Sequence, residues 1–156
     1  MRNCVRFLTF SFILLIAAAF CTPALAQSAV DVNVNQTAAT SCSAGEAVAL
    51  SGNLHFAYSY TTDSATGINT YRVGIASSLS GVGQATQANY VGENASYGYD
   101  FPTTESPTQI TLQLGSRLSA QSPAPSLTLT QTVNITVDTS GHIGASVAGS
   151  STECAN

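Results

Sequence analysis

The chain has 156 residues, of which 44% are hydrophobic and only 8% charged, and its formal net charge is −4. It contains no lysine, and its cations are Arg2, Arg6, Arg72 and Arg117, so the basic stripe that nucleic acid or anionic lipid demands is missing. Abundant Ser, Thr, Asn and Gln at low charge would suit a disordered chain, but the apolar residues recur in regular alternation and so supply a core.

Arg2 and Arg6 precede an apolar run over residues 7–20, and Ala24, Leu25 and Ala26 stand just before Gln27. This is the pattern of a secretory signal peptide over residues 1–26, which predicts a secreted or periplasmic protein. The apolar run is shorter than the roughly 20 residues that a membrane span needs, so no membrane insertion is expected after cleavage. Lipid attachment at Cys21 would ask for a small residue before it, and Phe20 stands there. Cleavage removes Cys4 and Cys21 and leaves Cys42 and Cys154, for which a single disulfide is expected in an oxidising compartment. The loop it closes is nearly the whole domain, a case to which the chain-entropy model assigns on the order of 4 to 5 kcal/mol.

Residues 27–41 read as a strand-like arm, in which Val30, Val32 and Val34 alternate with Asp31, Asn33 and Asn35. The all-β domain proper is expected over residues 42–156. In "EAVALSGNLHFAYSY", Val48, Leu50, Leu54, Phe56, Tyr58 and Tyr60 share one parity, with Gly52 as a bend or bulge. "TDSATG" reads as a turn and "TYRVGIASSL" as the returning strand, which makes a hairpin. "SGVGQATQ", residues 80–87, reads as a loop, and "ANYVGENASYGYDF" as one interrupted strand or two short ones before Pro102. Ile110, Leu112, Leu114 and Leu118 share a face of the next strand. In "SLTLTQTVNITVD" Leu127, Leu129, Val133, Ile135 and Val137 alternate with threonine and asparagine, and "DTSG" turns the chain back toward Cys154. Six or seven strands with short links predict a single antiparallel β-sandwich or small closed β-barrel, its two ends joined by the disulfide. An outer-membrane barrel is the competing reading, and the strands lack the aromatic girdles it would carry.

Chemistry is sparse. No GxSxG elbow occurs, and His55 and His142 each fall on a polar strand parity, where an exposed structural histidine is the ordinary account. The two could meet across strands and bind a metal with Asp63 or Asp138, but the spacing does not call for it. Thr86 occupies the place where GxGxxG needs its third glycine, and the acids in "DSATG" and "DTSGH" fall short of a calcium loop. Tyr58, Tyr60, Tyr71, Tyr90, Tyr97 and Tyr99 could line a platform for a glycan or small molecule, although the parity of Tyr58, Tyr60 and Tyr71 places those three with the core. Gln131 is unusual in lying on the apolar parity between Leu129 and Val133, which a bulge or a partly polar cavity would explain. Asn35, Asn94 and Asn134 begin N-x-Ser/Thr sequons that a eukaryotic route would glycosylate.

"CSAGEAVALSGNLHF" from Cys42, "SGVG" at Ser80, Tyr90 and the closing Cys154 together resemble a family of uncharacterised bacterial secreted all-β proteins. The likeness spans Cys42 to Cys154 and departs at "QATQ", residues 84–87, where the family places a second glycine. It implies an exported bacterial β domain in which Cys42 pairs with Cys154, gives His55 a family position and brings no activity with it. The expectation is an exported, non-catalytic β domain that binds or builds structure, with no cofactor, no metal and no nucleic-acid partner. Its partner would be a protein, a glycan or a small molecule, with Gln131, Tyr58, Tyr60, Tyr71 and His55 as the contact residues. The alternatives are a small-ligand carrier with its ligand in a barrel lumen, and a pilus or adhesin subunit that donates the arm at Val30 to Val34.

Overall fold

A computed structural model of the protein describes residues 28–42, 45–103, 108–120 and 123–155. The expected signal peptide, with Cys4 and Cys21, lies outside the described residues. Every regular element is a strand: β1 (Ser28–Thr40), β2 (Val48–Thr62), β3 (Asn69–Gly83), β4 (Asn89–Gly92), β5 (Ser96–Thr103), β6 (Thr108–Ala120), β7 (Leu127–Val137) and β8 (Ile143–Cys154). The sheet runs β2-β1-β8-β7-β6-β4-β3, and β2 also pairs with β3, so seven strands close into a barrel. The eighth, β5, hangs on β3 outside that ring.

The alternation in the sequence determines which side of each strand is buried. Leu127, Leu129, Gln131, Val133, Ile135 and Val137 of β7 point inward and are buried, whereas Thr128 and Thr136 face out. Leu50, Leu54 and Phe56 of β2 and Val73 and Ile75 of β3 fill the same interior. Each such aliphatic side chain gains about 1.5–3 kcal/mol from complete burial. The arm expected over residues 27–41 is strand β1, hydrogen-bonded to β2 from Ser28–Tyr58 to Ala38–Val48.

Two joints close the ring, and both are short. β1 meets β8 in parallel at Ala39–Ser151 and Thr40–Thr152, and the Ser41 N–H donates to the Thr152 carbonyl at 2.9 Å. β4 meets β6 from Tyr90–Ala120 to Gly92–Leu118. The disulfide sits at this same pole, where Cys42 and Cys154 lie 4.9 Å apart between Cα atoms across 112 residues of sequence. Toward the other pole the barrel is less tightly sealed, with Val30, Val32, Ala145 and Val147 half-buried on the flanks of the β1–β8 joint. The Tyr97 hydroxyl, donating to the Gly115 carbonyl, ties β5 to β6.

Two details depart from the sequence reading. Ser80 to Gly83, expected in a loop, belong to β3. Their small side chains answer a packing need: a Cβ on Gly81 would come within 2.4 Å of Val48 Cγ1, and one on Gly83 would strike the Glu46 carboxylate. The second is a bulge in β8, where Thr132 pairs with Gly149 but Val133 pairs with Val147, so Ala148 is left over.

Candidate functional site

Three surface regions bring polar side chains together, and the residues expected to make contacts are divided among them. At the pole away from the disulfide, Tyr58 and Tyr71 are buried core residues, and Tyr60 alone is exposed, at 44%. The rings form a column, with Tyr60 5.5 Å from Tyr71 and Tyr71 stacked on Phe101 at 5.4 Å. The Tyr58 hydroxyl accepts from the Ile143 N–H at 3.3 Å, which anchors the β7–β8 turn to β2. In that turn the Asp138 carboxylate accepts from the Ser140 and His142 N–H groups at 2.7 and 2.9 Å, while Gly141 has φ +81°. The Asp63 turn has the same construction, with Ala65 N–H and the Thr66 hydroxyl on the carboxylate and Gly67 at φ +72°. In both turns the carboxylate holds the turn's own backbone or hydroxyl groups.

On the outer face, His55 Nδ1 lies 2.7 Å from Asp31 across the β1–β2 pair. They border a depression of about 490 Å³ with Asn53, Ser77, Ser78 and Asn94, into which both ends of the pair remain open to solvent. His142 lies 3.5 Å from Asp138 on a different strand junction, so the two histidines do not meet. Among the described residues no group of three His, Cys, Asp or Glu side chains could hold a metal.

Gln131 is 2% exposed, and its Nε2 lies 3.4 Å from Ser150 Oγ, to which Gln36 Nε2 also donates. It therefore belongs to a small polar seam between β1, β7 and β8, directly beside the bulge.

The third region, at the disulfide pole, centres on Glu46, which sequence reasoning did not single out, and includes Tyr90, which it counted among the platform tyrosines. Glu46, just before β2, reaches the β3–β4 loop 40 residues away, where its Oε2 accepts from the Ala85 and Thr86 N–H groups at 2.6 and 2.8 Å. Its Oε1 accepts from the Thr86 hydroxyl. These bonds, led by the Thr86 hydroxyl, hold the carboxyl below its ordinary pKa. The loop folds tightly enough to place Gln87 at φ +60°, a left-handed conformation that non-glycine residues seldom adopt. Between this loop and Pro123–Pro125 lies a cavity of about 560 Å³ that Glu46 and Tyr90 also line. Tyr90 is 1% exposed, and its hydroxyl has no hydrogen-bond partner. Burial, with the Glu46 charge adding to it, pushes that phenol above its ordinary pKa.

No family model, no curated protein and no solved structure matches the chain.

Proposed function

We propose that this protein is an exported, non-catalytic β domain that binds its partner on the outside of a filled barrel. The observation that carries the reading is the interior itself. Leu50, Leu54, Phe56, Val73, Ile75, Leu129, Val133 and Ile135 are each at most 1% exposed, and Gln131 is held in the wall. A ligand in the lumen would have to displace these side chains, each at a cost of about 1.5–3 kcal/mol, so binding falls to the surface cavities. The disulfide across the closing joint supports export, because such bonds persist in oxidising compartments. Support for a non-catalytic role comes from the histidines: each bonds a carboxylate, and among the described residues no hydrogen bond links either to a serine hydroxyl. The likeness to bacterial secreted proteins fits the same picture.

The test is a screen of the mature protein against ester, glycoside, peptide and redox-dye substrates. The expected result is no turnover above buffer. Turnover that vanishes in His55→Ala or His142→Ala would overturn the reading.

A subunit that assembles through β1 is the second reading, favoured by the short β1–β8 joint, which bridges the two strands only at Ala39 and Thr40. Light scattering across a concentration series separates the two: a monomer throughout supports surface binding, and growth into polymers supports assembly.

A further inference from the structure

We infer that the depression beside the Asp31–His55 pair is a binding site for a neutral pyranose sugar, whose hydroxyls meet the carboxylate, the imidazole and the amide and hydroxyl groups around them. The inference rests on the surface-binding reading and names the class of its partner.

Strand register builds the depression. Asp31 stands opposite His55, His55 opposite Ala76 and Ala76 opposite Ser96, so four exposed side chains form one row across β1, β2, β3 and β5. Ala76 is the short member of that row, and in the next row Asn53 faces Ser78, so the floor dips between His55 and β5. The far wall is a bulge. Between the pairs Ser80–Val91 and Ala76–Ser96, β3 advances four residues and the facing chain five, which leaves Asn94 and Ala95 out of the β3 ladder. Ser77 fixes that wall from below: its N–H donates to the Ala95 carbonyl at 2.9 Å, and its hydroxyl accepts from the Ala95 N–H at 3.4 Å. At about 490 Å³ the depression falls within the ordinary range for small-molecule sites and has room for one sugar ring.

The groups around the depression set the ligand's character. His55 Nδ1 lies 2.7 Å from Asp31 Oδ1, so a neutral imidazole donates from Nδ1 and keeps Nε2 as an acceptor. Half of the His55 side chain and 62% of the Asp31 side chain are exposed, so both can be reached, and Asp31 Oδ2 is a further acceptor. Ser78, Asn94 and Ser96 add two hydroxyls and an amide, which donate as well as accept. Asn53 Oδ1 is closed to solvent and takes no part. Neighbouring sugar hydroxyls, each a donor and an acceptor at once, match this set. An anion would meet the Asp31 carboxylate, and neither Lys nor Arg lines the depression to offset it. A lone ammonium would engage Asp31 and leave the other groups unused. A metal ion would find one carboxylate and one imidazole, short of the three ligands that it needs. An apolar ring would find carbon only at Ala76 and Ala95 and would strip water from the polar groups.

The experiment titrates the isotope-labelled mature protein with the methyl α-pyranosides of glucose, galactose and mannose, and with glucuronate, cyclohexylamine and cyclohexanol as charged or hydroxyl-poor counterparts. The expected result is saturable amide shifts at Asp31, His55, Ala76, Ser78 and Asn94 to Ser96 with at least one pyranoside, and binding by each counterpart at least about tenfold weaker. Asp31→Asn keeps the shape and loses the charge, and should weaken pyranoside binding about tenfold or more, the worth of a hydrogen bond to a charged group. Ala76→Leu fills the floor, leaves every polar group in place and should abolish binding. Both positions are exposed, so each variant should keep the parent's amide spectrum away from the depression. Shifts confined to other surfaces, parental binding by either variant, equal binding by the counterparts, or no binding would each overturn the site. Shifts elsewhere would still leave the surface-binding reading standing, whereas turnover in the substrate screen would remove that reading first.

Discussion

Gly149 faces Thr132 while Val147 faces Val133, and the Ala148 left between them turns Cys154 toward the side of the strand on which Cys42 lies. Ile143, Ala145 and Val147 alternate inward before the bulge and Thr152 does so after it, while Cys154, itself exposed, stands opposite Leu127. In an uninterrupted strand Glu153 would take that place against a fully buried leucine. Deleting Ala148 would remove the extra residue while keeping Gly149 opposite Thr132 and Cys154 opposite Leu127, so the Cys42–Cys154 bond is expected to persist in that variant. Free thiols at both positions, detected by alkylation, would show that the bulge itself and not the register places Cys154.

The disulfide should act most strongly on the joint beside it. Replacing both Cys42 and Cys154 by serine is expected to lower stability by about 2–5 kcal/mol in denaturant unfolding, the usual loss when a native bridge is removed from a small domain. The β1–β8 joint rests on two residue pairs and the Ser41 N–H, so amide exchange at Thr40 and Ser41 should quicken more than at Val133 or Ile135. Uniform quickening along the chain would mean that the bridge constrains only the unfolded state.

Glycines in β2 and β5 make a matched pair of opposite predictions. Gly52 has φ +142°, and a Cβ there would stand 2.2 Å from the Ser78 carbonyl oxygen. Gly52→Ala should cost about 2 kcal/mol or more, because backbone rather than a flexible side chain would have to move. Gly98 has nothing within 4 Å, so Gly98→Ala should be neutral or stabilising by up to about 1 kcal/mol. Thermal unfolding of the two variants side by side decides it.

Much of this architecture could be read from the amino acids in advance. The two-faced pattern of β7 and β2 fixes which residues are inside, and the Asp63 and Asp138 turns carry their own geometry in Asp and Gly. Gln131, out of place in its strand, does mark the bulge, which lies on the neighbouring strand. Ser80 to Gly83 look like a loop because Gly and Ser are turn residues, but here Val48 and Glu46 occupy the space their side chains would need. Glu46 escaped notice for a related reason: it meets Thr86 from 40 residues away, and no local spacing encodes that contact. The tyrosines expected at a binding surface were placed by parity, which gives the face but not the depth, so Tyr58 and Tyr71 are interior while Tyr60 is open.

Stability should depend on pH at both extremes. The Thr86 bonds lower the Glu46 carboxyl, the Ala65 N–H lowers Asp63, Arg72 lowers Asp100 through hydrogen bonds, and the His142 N–H lowers Asp138. A carboxyl lowered on folding contributes stability that is complete above its unfolded value of about 4 and is lost as pH falls through the folded value. Burial raises the Tyr71, Tyr90 and Tyr97 phenols, whose contribution is complete below about pH 10 and is lost as pH climbs through their folded values. The melting temperature should thus be level between about pH 5 and 9 and fall on either side. A steep change near neutrality would contradict this account.

The closing of the barrel and the export proposed for it meet in one measurable object, the protein recovered from outside the cytoplasm. Mass spectrometry of that material, proteolysed without reduction, should find a chain beginning at Gln27 in which a peptide containing Cys42 is covalently joined to one containing Cys154. Free thiols at both positions, or residues 1–26 still attached, would contradict it.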